Sequence, residues 1–280
     1  MTPSDLGEQR RGASAQPRGA QRRGASGSDS GSPAPLVTIA ERLRDELAPL
    51  RFAPPVTHVY QPLDYAWEPY RRYLERWVAP EVAPQAAPGE GRIALVGMNP
   101  GPFGMAQTGV PFGDVTMVRG WLGIEGAVGR PALENPARPV LGFGCPRSEV
   151  SGTRLWGWAR DRFGTPEEFF RRFFVLNYCP LAFLEESGRN RTPDRLPPAE
   201  RAPLFAACDR AMRASIEAVR PRAVVGVGRF AADRAAQALA GLDLPIGTIL
   251  HPSPANPGAN RNWEETVEGQ LAAMGLWPAR

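Results

Sequence analysis

The sequence predicts an α/β fold of three layers, with helices on both faces of a central four-stranded parallel sheet. Three observations carry that prediction. Four short apolar runs have strand character: Ile93–Val96, Phe173–Leu176, Ala223–Val227 and Ile246–Leu250. Helical patterns separate them. The runs are apolar throughout rather than alternating, as expected of strands buried on both faces.

Residues 1 to about 35 are mostly Gly, Ser, Ala, Pro, Gln and Arg, and the string QRRGAS occurs twice, at Gln9–Ser14 and Gln21–Ser26. Such a segment has too little apolar surface to fold, so a solvated tail is expected ahead of one domain over 36–280. Val37–Leu50 reads as a first helix. Tyr65–Val78 reads as a second, with Tyr70, Tyr73, Leu74 and Trp77 at helical spacing. A Pro/Ala linker, Ala79–Pro88, precedes the first strand. Thr165-Pro166-Glu167-Glu168 is a capping box with Pro at the first helical position. Leu204, Phe205, Cys208, Met212, Ile216 and Val219 form an apolar helical stripe, which makes Cys208 a small core residue. Ala231–Leu239 and Trp263–Met274 complete the helices.

Composition excludes several chemistries. The chain of 280 residues has 33 basic side chains, and all of them are Arg. Without Lys there is no side-chain imine chemistry and no Walker-type phosphate loop. Cationic contacts must come from guanidinium groups, which suit phosphate and stacked bases. Net charge is +4, a mild bias toward polyanions. Three cysteines, Cys145, Cys179 and Cys208, contain no C-x-x-C pair, so neither a zinc ribbon nor a disulfide framework is expected. No metal and no cofactor are expected. No apolar run approaches membrane-spanning length, and no apolar segment follows the N-terminal Arg residues. A cytoplasmic monomer is the expectation.

In parallel sheets, ligands bind beyond the carboxyl ends of the strands. The first strand is followed by Gly97-Met98-Asn99-Pro100-Gly101-Pro102-Phe103-Gly104-Met105, and then by Gly109-Val110-Pro111-Phe112-Gly113. Asn177-Tyr178-Cys179-Pro180 follows the second strand, and His251-Pro252-Ser253-Pro254-Ala255-Asn256-Pro257 the fourth. Two amides and an imidazole thus share one sheet edge, with the Phe112 ring close by. Amides pair with base edges and rings stack on base faces, so the set suits a planar nucleobase. Each residue alone has an ordinary structural role open to it, as a cap, a turn or a core ring. Gly226-Val227-Gly228 is half of a dinucleotide fingerprint, with Ala231 at the third position.

GMNPGPFGMAQTGVPFGDV (Gly97–Val115) and HPSPANPGANRNW (His251–Trp263) resemble the two signature segments of the single-strand-selective monofunctional uracil-DNA glycosylases. The resemblance continues through RPVLGFGCPRSEVSG, FFVLNYCPLAFL, SGRNRTP and VVGVGR, and spans roughly Phe52 to Leu276. It implies a uracil-DNA-glycosylase fold. It also implies hydrolysis of the N-glycosidic bond of uracil, and of 5-hydroxymethyluracil, in single- and double-stranded DNA. Asn99 would hold the attacking water and His251 would stabilise the departing anion at uracil O2. Asn177 would pair with N3–H and O4, and Phe112 would stack on the flipped base. Met98, Gly101 and Met105 would complete the base pocket, the glycine leaving room at C5 for a water or a hydroxymethyl group.

DNA contacts would come from Ser253, Pro254, Ala255 and Asn256, and from Arg261, Arg147 and Arg229. The family usually carries Arg where Ala255 stands, in the loop that wedges the duplex. A methyl group fills less of the vacated stack, which implies a stronger preference for single-stranded or mismatched uracil. The absence of Lys implies that reaction stops at the abasic site. Other readings are a same-fold glycosylase for xanthine or hypoxanthine, a non-catalytic binder of uracil-containing or single-stranded DNA, and a nucleotide-cofactor enzyme. A bacterial cytoplasm, with work at the nucleoid, is the expected location.

Overall fold

The computed structural model describes residues 35–79 and 91–278. The tail, and the linker from residue 80 onward, lie outside the described residues. In chain order, α1 (Pro35–Leu47), β1 (Val56–Tyr60), α2 (Pro62–Tyr65) and α3 (Trp67–Tyr73) come first. They are followed by β2 (Ile93–Gly97), α4 (Met105–Thr108), α5 (Val115–Gly120), α6 (Val150–Phe163), α7 (Pro166–Arg172) and β3 (Phe173–Asn177). The remainder is β4 (Ala182–Glu185), β5 (Asn190–Arg191), α8 (Pro198–Val219), β6 (Ala223–Val227), α9 (Arg229–Ala238), β7 (Ile246–Ile249) and α10 (Ala259–Ala273).

The predicted sheet is present. Its order is β3-β2-β6-β7, all neighbours parallel, with helices flanking it. The residues of β2 and β6 are buried throughout, and those of β3 up to Leu176, which explains their unbroken apolar runs. A Cβ on Gly226 would strike the backbone of Ala232, so this glycine lets α9 lie directly on β6. That is a packing role, and it accounts for the partial dinucleotide fingerprint without a cofactor.

The helix boundaries differ in instructive ways. The first helix ends at Leu47, ahead of Pro49. The segment expected as one helix over Tyr65–Val78 is three pieces: α2, α3 and a π turn at Leu74–Val78. Pro69 has no amide to donate, so it sits in the first turn of α3, where none is needed. The last helix begins at Ala259 and kinks at Asn262, whose φ and ψ are −134° and 68°. The Thr165 cap forms as predicted, its side chain accepting from the Glu168 amide.

A second, three-stranded antiparallel sheet, β1-β4-β5, was not anticipated. Its strands are five, four and two residues long. The cores of the two sheets are rich in rings. Trp156, Trp158, Phe169, Phe170 and Phe173 form a buried cluster with centroid separations of 5.1–6.1 Å. Cys208 is fully buried, as the stripe predicts.

Candidate active site

The strand register creates the site. Gly97 and Asn177 are the last residues of β2 and β3 and lie side by side in the sheet. The pairing then runs on into the loops, with the Tyr178 amide donating to Gly97 O at 2.9 Å and the Cys179 amide to Met98 O at 2.9 Å. Tyr178 is anchored below. Its hydroxyl donates to Asp209 at 2.8 Å and accepts from Arg234 Nε at 3.1 Å, and the guanidinium lies against the Phe205 ring. A Cβ on Gly97 would overlap both the Asn177 amide and the Phe112 ring, so the glycine allows these two to meet.

Phe112 is 9% exposed and adopts φ +53°, a left-handed conformation that costs a non-glycine residue about 1–3 kcal/mol. The surrounding fold holds it there. Its ring lies 6.0 Å from the His251 ring, tilted by 41°. It belongs to the core and to the site at once.

His251 is positioned by α10. The Leu250 amide donates to Gln270 Oε1 at 2.8 Å, and Leu250 O accepts from Trp263 Nε1 at 2.8 Å. The Ser253 amide then donates to His251 Nδ1 at 3.1 Å. An accepting Nδ1 carries no proton, so the neutral ring is protonated at Nε2. Burial pushes its pKa down to about 4, which keeps the ring neutral at ordinary pH.

These residues enclose a cavity of about 350 Å³. Met98, Asn99, Gly101, Met105, Phe112, Asn177, His251 and Ser253, all predicted from sequence, line it. Asn99 Nδ2 donates to Leu181 O at 3.2 Å, which leaves its Oδ1 as the free end of the amide. Asn177 Nδ2 donates to Met105 Sδ at 3.2 Å.

Gly101 lines the cavity beside Glu149. A Cβ there would collide with the Glu149 carboxylate, and one on Gly104 would meet Glu149 Cγ at 2.8 Å. Burial raises the Glu149 pKa, the Phe103 and Ser151 amides offset part of the rise, and Asp114 adds to it. Sequence reasoning missed Glu149 because Ser148-Glu149-Val150-Ser151 reads as an ordinary helix start. It also missed Asn190, on the second sheet, and Thr192 just beyond it, both of which line the cavity. The SGRNRTP segment was the available signal. Among the described residues, no group of His, Cys, Asp and Glu side chains is placed to hold a metal ion.

The remaining predicted DNA contacts are spread along the rim. Pro254 and Ala255 are exposed at the tip of the loop after β7, with Asn256 beside them. That loop is braced by its own bonds. The Ala255 amide donates to Ser253 Oγ at 3.2 Å and Asn260 Nδ2 to Pro254 O at 2.9 Å. Arg154, unforeseen from sequence, donates to Pro252 O at 2.8 Å and to Asn260 Oδ1 at 3.0 Å. Arg261 is exposed. Arg229 is exposed, 3.6 Å from Asp233, and borders a second cavity that shares Met98 and His251 with the first. Arg147 does not reach the cavity; its guanidinium stacks 4.0 Å from the Phe103 ring centroid.

The pattern of the uracil DNA glycosylase superfamily matches residues 84–270. The chain belongs to the uracil-DNA glycosylase superfamily. Within this superfamily it is 50% identical over 239 residues to the single-strand selective monofunctional uracil-DNA glycosylase of Rattus norvegicus, covering 85% of this chain and 83% of that protein. It is 49% identical to the Mus musculus protein of the same name, over 85% of this chain and 82% of that one. The crystal structure of wild-type SMUG2 from Pedobacter heparinus superposes with a TM-score of 0.57 at 14% identity, covering 85% of this chain and 97% of that one. The latter likeness concerns the fold, and it agrees with the parallel sheet described above.

Proposed function

We propose that this superfamily member is a monofunctional uracil-DNA glycosylase, which cuts the N-glycosidic bond of a flipped uracil and leaves an abasic site. The observation that carries the reading is the convergence of Asn99, Asn177 and His251, from three strand ends, on one cavity floored by Phe112. The relatives of about 50% identity bear the same activity in their names.

The geometry gives each residue a task. The uracil ring lies on Phe112, where base stacking contributes about 1–3 kcal/mol. Asn177 leaves Met105 and offers its carbonyl to N3–H and its amine to O4; cytosine presents the opposite pattern. His251 Nε2–H donates to O2, where negative charge gathers as the bond to the sugar breaks. One such donor contributes about 10²–10³-fold. Asn99 Oδ1 holds the attacking water. It cannot ionise, so the reaction goes without the roughly 10²–10⁴-fold that a general base supplies. The leaving anion and an oxocarbenium-like sugar therefore dominate the barrier.

No Lys exists to attack the abasic sugar, and excision ends there. Single- and double-stranded DNA containing uracil or 5-hydroxymethyluracil are the proposed substrates. The loop tip at Ala255, together with Arg261 and Arg229, meets the DNA backbone. The protein acts as a monomer in the cytoplasm, at the nucleoid. Incubation with an end-labelled single-stranded uracil oligonucleotide, then alkali, tests the reading. Cleavage at the uracil only after alkali is expected; an intact strand overturns the glycosylase, and cleavage without alkali overturns its monofunctional character.

A further inference from the structure

A polar trough adjoins the catalytic cavity, and the reaction above makes no use of it. Its volume is about 350 Å³, and Glu185, Arg189, Asn190, Arg191, Thr192 and Arg195 line it. Asn190 and Thr192 line the catalytic cavity as well, so the two spaces meet at these residues. The walls come from the rim of the second sheet. β5 is the outer strand in the order β1-β4-β5, and a short 3-10 turn at Pro193–Arg195 follows it. Arg191 sets the shape: its Nη1 donates to Arg195 O at 2.9 Å, and its Nε lies 3.3 Å from Glu185 Oε1. Arg189 is exposed and, among the described residues, its guanidinium forms no ion pair. Arg195 is exposed with its Nε 3.8 Å from Asp194, a surface pair that contributes little. The lining thus sets three guanidiniums against one carboxylate.

The trough lies across the site from the loop after β7. β3 and β7 are the two edges of the parallel sheet. β4 follows β3 after residues 178–181, where Leu181 O accepts from Asn99 Nδ2. Asn190 Nδ2 donates to Pro100 O at 3.2 Å, next to Asn99 in the chain. The second sheet therefore flanks the β3 side of the cavity, and the His251 loop flanks the β7 side. A strand whose base enters the cavity has the tip at Ala255 on one side and the trough on the other.

We propose that Arg189, Arg191 and Arg195 form a phosphate-binding trough that holds the sugar-phosphate backbone of the lesion-bearing strand beside the flipped nucleotide. The proposal rests on the glycosylase reading given above. Phosphate is the group that a planar guanidinium fork matches. No aromatic ring lines the trough, so bases do not stack there and the contact is blind to sequence. Because it grips the damaged strand itself, the trough serves single-stranded and duplex DNA alike. The tip at Ala255 matters only where a duplex has to open.

The test measures binding of the full chain to a fluorescent single-stranded oligonucleotide carrying an abasic-site analogue, by anisotropy over a series of salt concentrations. In Arg189→Gln and in Arg195→Gln, the slope of log affinity against log salt becomes shallower by about 0.7, and affinity at about 0.1 M salt falls about fivefold. Arg172→Gln is the control. It removes the same charge from an exposed residue just before β3, at the opposite end of the strand from the cavity, and leaves the slope unchanged. Neutral methylphosphonate linkages placed beside the lesion reproduce the loss in wild type, and add nothing further in the double variant of Arg189 and Arg195. In uracil excision by the single variants, KM rises and kcat stays within about twofold. Slopes equal to wild type overturn the proposal, and so does an equal change in the Arg172→Gln control. A wild-type protein that excises no uracil overturns the glycosylase reading instead, and the salt slopes still decide whether the trough holds phosphate.

Discussion

The cavity has two walls, and they are held by different means. The wall from β2 and β3 carries Asn99, Asn177 and Phe112, and is locked by main chain. Tyr178 and Cys179 pair with Gly97 and Met98, and glycine at 97 lets the side chains close in. The wall from β7 carries His251 and the exposed loop tip, and is locked by side chains. Gln270, Trp263, Asn260 and Arg154 each grip a backbone group of the loop. The wall proposed to read the base is thus the part that no single side-chain loss releases. The loop proposed to meet the duplex can be loosened by one substitution.

The largest expected effect strikes chemistry on both walls. His251→Leu and Asn99→Ala each lower kcat about 10²–10³-fold, while the affinity for abasic product DNA, measured by fluorescence anisotropy, stays within about twofold. Wild-type rates in either variant would break the assignment.

The next effect separates His251 from its surroundings. Its folded pKa of about 4 lies below the value of about 6.5 in the unfolded chain. As pH falls below about 6.5, the unfolded chain takes the proton first. The stability due to the neutral ring is therefore complete above pH 6.5 and declines toward pH 4, by about 3 kcal/mol at most. Urea titrations across this range show the decline in wild type, and His251→Leu lacks that share of it. Excision stays level between about pH 8 and pH 5, since the donor is the neutral ring.

A smaller effect tests the loop tip. Ala255→Arg raises excision from a U·A duplex relative to single-stranded DNA by about five- to tenfold, because a longer side chain fills the stack that the base vacates. An unchanged ratio would detach the tip from duplex opening. The smallest effect comes from the brace. Arg154→Ala raises KM on duplex about threefold with kcat nearly constant, and lowers stability by about 1–2 kcal/mol through the lost hydrogen bonds. Equal effects on kcat and KM would place Arg154 closer to the chemistry than its contacts do.

Much of the base-reading wall was legible in the chain itself. Four unbroken apolar runs specified the parallel sheet, and strand ends specified Asn99, Asn177 and His251. Gly and Pro around Phe112 marked a loop that could hold a strained ring. What stayed hidden depends on long-range packing. β5 has two residues, too few to show a period, so Asn190 and Thr192 went unplaced. Glu149 looked like a helix start, because nothing local says that its side chain turns toward two glycines about fifty residues earlier. Arg154 sits among the arginines of α6, and only the folded loop reveals its partners.

The brace at Arg154 also bears on how fast damage is found. A free loop must lose conformational freedom on every encounter with DNA, including the vast majority that hold no lesion. Here the ordering of residues 252–260 is completed when the chain folds, through contacts to Pro252 and Asn260 that do not involve DNA. On the proposed reading, each encounter begins with a surface already in shape and without the cost of ordering the loop.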